Sequence, residues 1–348
     1  MVSGWKIWCP EFSKLRKLNE KTLGELKTEL NADEEHLSNP FICSGNENYP
    51  LEVEVLGDFC RGISLEDVKA GRGRAGTQKA VWVDERNGSP NLEGSGDARK
   101  HENPLTATGL FRALEKPRYG DEYLPDAARR LIYITDLDPA CIRALAATAS
   151  YQQALVLRNA IFQYLSFQTS IAVKIPSTGF LSFQLDLHLP FFILGKSIPP
   201  EKSEGKFNIK PWRGWTDLSF LKINKFDFRP QKPMEVWGIQ EAQISCIVAG
   251  SDHWRWVGYG FVDSEVDGVL AEPYDTNLLQ DQIAAGEIEV SFPIWTPRDY
   301  WIRVFELRIG YVRGQWEYLI YKLELGINQY VRGQSQITLD NICNDTDY

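Results

Sequence analysis

The stretch "RLIYITDLDPA", residues 130–140, runs a greasy segment into two aspartates one residue apart. Paired carboxylates at the end of a strand can hold a divalent cation, or divide the labour of nucleophile and general acid. A plainer role suits the same residues. Asp138 followed by Pro139 is a strong helix start, an N-cap acceptor and then a residue with pre-set φ and no amide to satisfy. That role accounts for Asp138 and leaves Asp136 alone.

Further along, "GYGFVDSEVD" (258–267) offers Asp263 and Asp267 at D-x-x-x-D spacing, with Glu265 between them. Together with Asp136 and Asp138, that spacing is similar to a magnesium-dependent phosphatase of the haloacid-dehalogenase type. Two departures weaken the match: Ala140 stands where the usual Thr or Val follows the second aspartate, and there is no strand–Ser/Thr motif between the sites. This remains the enzyme alternative. Asp263, Glu265 and Asp267 are also the candidate metal ligands, at the head of a block (264–292) with seven acids and no Lys or Arg. Oxygen ligands of that kind suit Mg²⁺ or Ca²⁺, but the block lacks a D-x-D-x-D-G loop and reads more simply as an acidic insertion.

Other residue types give less. The four histidines are singles. His188 falls on the polar side of an alternating strand, where a surface or hydrogen-bonded role is expected, and His253 sits beside Asp252 in a turn. No Ser–His–Asp or Cys–His pairing follows from spacing, and G-x-S-x-G is absent. "GRGRAG" (71–76) matches G-x-G-x-x-G, yet a helical pattern precedes it and a strand follows, the reverse of a dinucleotide site, so a flexible turn is expected. The six cysteines are dispersed without CxxC and read as free thiols in a reducing compartment.

These residues must be positioned by a substantial core. The 348-residue chain is 43% hydrophobic and 24% charged, with 11 tryptophans and 17 phenylalanines, an ordinary globular mix. A net charge of −9 argues against general nucleic-acid affinity. Residues 195–233 run against that balance with nine Lys/Arg to four Asp/Glu, interleaved with Trp212 and Trp215, and suit either an acidic-partner surface or a solvated loop pinned by its aromatics. The N-terminus has no signal-like apolar run, and the greasiest stretch, "LHLPFFILG", is far short of the ~20 residues that span a bilayer, so a soluble, cytoplasmic chain is expected.

Leucine spacing predicts a helix over 13–30, and alternation predicts strands at 51–59 and 79–85. Residues 86–126, rich in Gly, Pro and charge, read as a long loop. A buried strand at 131–135 leads into helices at 139–149 and 151–168, the second started by the Ser150–Gln153 capping signal. Hairpins follow at 170–189 and 239–263. From Thr296 and Pro297 a long amphipathic helix runs to about residue 330, with Gly310 and Gly314 as points of bending. The expected fold is α/β (α+β): a mixed, largely antiparallel sheet with packed helices, then a long C-terminal stalk-like helix. Three segments are expected: 1–126, a core at 127–295, and a helix with a polar tail at 296–348.

In combination, "RRLIYITDLDPACIRALAATAS", "FQTSIAVKIPSTGFLSFQLDLHLPFFIL", "EAQISCIVAG", "WRWVGYGFVDS" and "PIWTPRDYWIRVFELR" resemble the cytosolic part of fungal CorA-like proteins, distant relatives of the CorA magnesium transporters. The similarity covers residues 127–325. It implies an α/β domain leading into a stalk helix from Pro297. It does not imply a pore: Gly-Met-Asn is absent, since Met1 and Met234 are the only methionines, and no segment can satisfy its backbone in lipid. The resulting expectation is a soluble, non-catalytic, regulatory or oligomerising domain. Its stalk, through Trp301, Phe305, Trp316 and Leu319, would meet another copy or a CorA-like membrane partner. Mg²⁺ would bridge acidic residues between copies. A protein-interaction scaffold built on segment 195–233 is the remaining alternative.

Overall fold

The computed structural model describes residues 50–87, 97–175, 182–197, 213–221, 236–263 and 296–344. The helix expected at 13–30 lies outside them. The described chain begins with three short helices, α1 (Pro50–Phe59), α2 (Leu65–Ala70) and α3 (Arg74–Thr77). Strand β1 (Val81–Arg86), helix α4 (Ala107–Glu115) and strand β2 (Arg129–Thr135) follow. Helices α5 (Pro139–Thr148) and α6 (Tyr151–Leu165) then lead to β3 (Ser170–Lys174) and β4 (Phe183–Ser197). The last elements are β5 (Trp215–Asp217), β6 (Val236–Gly250), β7 (Trp256–Val262) and α7 (Pro297–Asn344).

Seven strands form one sheet in the order β1-β2-β7-β6-β4-β3, with β5 paired to β6. Pairs β1–β2, β3–β4, β5–β6 and β6–β7 are antiparallel, and β2–β7 is parallel. The mixed, largely antiparallel sheet with packed helices and a long terminal helix is therefore the fold. All seven residues of β2 are buried: the apolar run 131–134 lies in the core, and Arg129 and Arg130 are paired with Asp84 and Glu85.

Three local expectations are corrected. Residues 51–59 form a helix, not a strand. "LEVEV" alternates, but Leu56, Phe59 and Cys60 also recur at threes and fours, and burying that face decides the outcome. The loop expected over 86–126 contains α4, whose N-cap Thr106 accepts the Gly109 amide and whose Leu110 and Leu114 enter the core. The segment around Gly71–Gly76 is a corner that carries the short helix α3 rather than a turn alone. Gly71 ends α2 at φ +69°, and a Cβ on Gly76 would sit 2.2 Å from the Gly71 carbonyl oxygen.

Two compact units divide the chain. The first takes residues 1–189, 206–212 and 243–307. Its core joins Leu56 and Val68 to Leu110, Ile134, Leu137, Leu157, Ile161 and Phe261. The second takes residues 190–205, 213–242 and 308–348 and is centred on Leu194, Leu218, Leu221 and Leu319. Helix α7 starts as its sequence predicts, with the Thr296 hydroxyl accepting the Asp299 amide at 3.2 Å. It runs unbroken for 48 residues, past the expected end, and no described helix is long and apolar enough to cross a membrane.

Candidate functional site

Strand β2 ends at Thr135 and hands over to α5 through the aspartate pair. Asp138 is the N-cap of α5: its Oδ1 accepts the Cys141 amide at 2.7 Å, and it is 5% exposed. Burial pushes its carboxyl pKa up, against the opposing pull of the Cys141 amide. The capping reading of Asp138 therefore holds. Asp136 adopts φ +50°, the left-handed region that Asp tolerates better than most side chains, and its amide donates to the Val262 carbonyl at 2.9 Å. The neighbouring thiols offer no chemistry. Burial raises Cys60 to about 11 and lifts Cys141 well above the usual thiol value.

Asp136 and Asp263 follow the carboxyl ends of the parallel pair β2 and β7, the place where open α/β sheets gather ligands. Asp263, however, is 2% exposed and closes a hydrogen-bond knot. Its Oδ1 accepts the Tyr164 hydroxyl and its Oδ2 accepts the Gln243 amide at 2.7 Å. That geometry fits a carboxylate joining α6, β6 and β7, and does not fit a Mg²⁺ ligand, which would need those oxygens on the ion. Glu265 and Asp267 lie outside the described residues, as does the acidic segment 264–292. Among the described residues no three His, Cys, Asp or Glu gather in a metal-holding group.

The knot extends across the sheet. Gln243 Nε2 donates to the carbonyls of Gln163 and Gln168 at the C-terminal end of α6. Two residues on, Ser245 Oγ lies 2.8 Å from His188 Nδ1 on β4. Asp186, also on β4, takes Lys174 Nζ and Gln184 Nε2, both at 2.7 Å. Burial lowers the His188 pKa to about 4, although Asp186 pulls it upward. So a serine–histidine contact does exist, between residues 57 positions apart that spacing could not join. Both residues are 1% exposed, which keeps a substrate carbonyl away from Oγ. The alternation of β4 was legible, and of the two roles expected for His188, surface or hydrogen-bonded, the structure has the hydrogen-bonded one. A signal for burial was available in the matching polar positions Gln243 and Ser245 of β6.

A second polar cluster buries Glu85 of β1. Arg130 Nε donates to it at 2.6 Å and His101 Nε2 lies 3.1 Å away, with Arg99 Nη1 at 3.7 Å. Burial alone would raise the Glu85 carboxyl, but Arg130, His101 and Arg99 together hold it at about 2. A cavity of about 30 Å³ lies between Arg118, Ser150, Ser251, Arg255 and Trp256, room for about one water and too small for an organic substrate. His253 is in the turn expected of it, where Asp252 accepts the amides of Trp254 and Arg255 at 2.9 and 2.7 Å.

The four stalk residues fall into three situations. Trp301 is half-buried and stacks on Phe305, with ring centroids 5.8 Å apart. Trp316 is 39% exposed and meets Phe192 edge to face. Leu319 is 3% exposed and packs with Leu194, Leu218 and Leu221, so its side chain serves the chain's own core rather than a partner.

Exposed apolar side chains of α7 form a row that includes Trp316 and extends to positions not named as contacts. Ile309, Trp316, Ile320, Ile327 and Val331 are spaced seven, four, seven and four, an eleven-residue repeat, and each is 39–59% exposed. At about 100° per residue that repeat drifts only about 20° per cycle, so the stripe runs almost along the helix axis. Tyr318, Tyr321 and Leu325 form a second exposed group on another side. No family model, curated protein or solved structure matches the chain.

Proposed function

We propose that this chain is a non-catalytic assembly domain of the CorA-like kind, in which α7 joins copies of the chain through its exposed apolar stripe. The observation that carries this reading is the row Ile309, Trp316, Ile320, Ile327 and Val331 on a helix of 48 residues, about 72 Å at 1.5 Å per residue. A helix that packed only against its own domain would present one apolar face and a polar remainder. Here Val312 and Leu319 are buried while a second stripe stays in solvent. Seam positions of this type bury against another helix.

The non-catalytic part of the proposal draws on the two carboxylates most suited to chemistry. Asp138 caps α5 and Asp263 is held by Tyr164 and Gln243. Assembly through α7 makes no demand on Asp263.

Sedimentation equilibrium of the pure protein tests the reading. The wild-type chain is expected to self-associate, and Ile320→Glu with Ile327→Glu to return it to a monomer with unchanged helix content. A wild-type chain that stays monomeric up to high micromolar concentration overturns the proposal. Parallel runs with millimolar Mg²⁺ read whether the acidic segment 264–292 adds to the association. A chain that associates only with a membrane-bound partner would instead remain monomeric in both.

A further inference from the structure

We propose that β3 is a self-pairing edge, at which two copies of the chain join antiparallel about a two-fold axis passing beside Ala172. Strand β3 ends the sheet, and no described strand pairs on its outer side. Ile171 and Val173, opposite the buried Leu187 and Leu185 of β4, are themselves 53% and 57% exposed. An open edge of this kind is a template for another strand, and proteins usually blunt it with Pro, a bulge or a free charge. The one charge on β3, Lys174, is drawn back to Asp186 of its own sheet at 2.7 Å.

The opposite edge shows that the fold has the means to close an edge. Strand β1 is covered by residues 97–105: Val81 exchanges both backbone hydrogen bonds with Leu105, and the Arg99 amide donates to the Glu85 carbonyl. Between them the Asn103 carboxamide accepts the Val83 amide and donates to the Val83 carbonyl. No such cover lies on β3 among the described residues.

The sequence of β3, "SIAVK", points to a second copy rather than a foreign strand. With Ala172 opposite itself, Ile171 faces Val173 of the other copy twice and Ser170 faces Lys174 twice. Branched side chains then meet branched ones, and like charges never stand opposite each other, the condition for a stable cross-strand pair. A two-fold interface needs this self-complementarity. The contact involves none of the α7 positions, so it stands or falls apart from helix-mediated assembly.

Disulfide trapping tests both the pairing and its register. Residues directly opposite in an antiparallel pair have Cα atoms about 4.5–5.5 Å apart, within disulfide reach. Ala172→Cys is expected to give a reducible dimer on a non-reducing gel. Ser170→Cys sits about 13 Å from its counterpart in this register and is expected to give none. Wild-type protein reports any band from the native thiols. Both variants are also made with Ile320→Glu, where the Ala172→Cys dimer is expected to persist. Adding Val173→Lys, which places a charge on an already exposed position, is expected to cut the cross-linked fraction several-fold with an unchanged circular-dichroism spectrum. Equal cross-linking of the two cysteine variants overturns the register. Absence of cross-linking from Ala172→Cys, or its loss with Ile320→Glu, overturns autonomous pairing, while the helix reading is judged separately by sedimentation.

Discussion

The two edges of the sheet are built to opposite rules. At β1 the chain doubles back and satisfies the strand with backbone bonds from Leu105 and Arg99 and with the two-headed carboxamide of Asn103. Beside it, Glu85 is clasped by Arg130, His101 and Arg99, and Asp84 by Arg86 and Arg129. At β3 a five-residue strand carries two exposed branched side chains and a single tethered lysine. Burying polar groups is costly unless each finds a partner, so a closed edge needs a dense network, and an open one leaves its backbone to water or to another strand. What the contrast teaches is that edge protection here is local: it is supplied where residues 97–105 return to the sheet and is not a property of the sheet as a whole.

The largest expected effect comes from breaking the closed edge at its charge. Glu85→Gln leaves Arg130 and Arg99 without their carboxylate, and a buried pair broken from one side is expected to cost roughly 3–5 kcal/mol in urea unfolding. A loss under 1 kcal/mol would mean that the network does not secure this edge.

Acid should separate the edges next. His188 has its folded pKa at about 4, below the unfolded value of 6.5, because burial disfavours the imidazolium. The unfolded chain therefore takes up that proton first. Stability contributed by neutral His188 is present above pH 6.5 and is lost as pH falls toward 4, in all about 3 kcal/mol. Glu85, held at about 2 against an ordinary 4.5, loses its contribution only as pH falls from 4.5 toward 2. Hydrogen exchange at pH 5 should then show faster opening of β3 and β4 than of β1 and β2, and His188→Gln should flatten the stability profile between pH 6.5 and 4.

Asn103→Ala removes two partly buried hydrogen bonds and is expected to cost about 2 kcal/mol, with faster exchange confined to the Val83 amide and its neighbours. The smallest effect sharpens the comparison from the open side. Val173→Lys should change monomer stability by no more than about 0.5 kcal/mol, since the position is already in solvent. A large destabilisation there would show that β3 is covered after all.

Local rules read much of this molecule correctly. Asp138 and Pro139 start α5, Ser150 and Gln153 form the capping box of α6, and Thr296 and Pro297 start α7. Each is a short-range signal, complete within four residues. Both expected hairpins are present as β3–β4 and β6–β7 for a similar reason. Residues 51–59 were misread because "LEVEV" satisfies two periods at once and only packing could choose between them. Helix α4 was hidden by the Gly- and Pro-rich residues on either side of it.

The candidate site was less legible. Asp263 was visible as a carboxylate beside a strand, but its partners Tyr164 and Gln243 lie 99 and 20 residues away. The Ser245–His188 contact and the cations around Glu85 are likewise long-range meetings that no spacing rule encodes. Leu319 and Ile320 make the point within one helix: adjacent and both apolar, one is buried and the other 59% exposed.

By itself, then, the sequence determined where α5, α6 and α7 begin, which strands turn back on themselves, and that the chain can build a large core, because these depend on neighbours a few residues apart. Tertiary structure decided which polar groups are enclosed, which apolar stripe of α7 stays exposed and which sheet edge the described residues leave open. Those outcomes depend on what packs against each residue, and that is fixed only when distant segments meet.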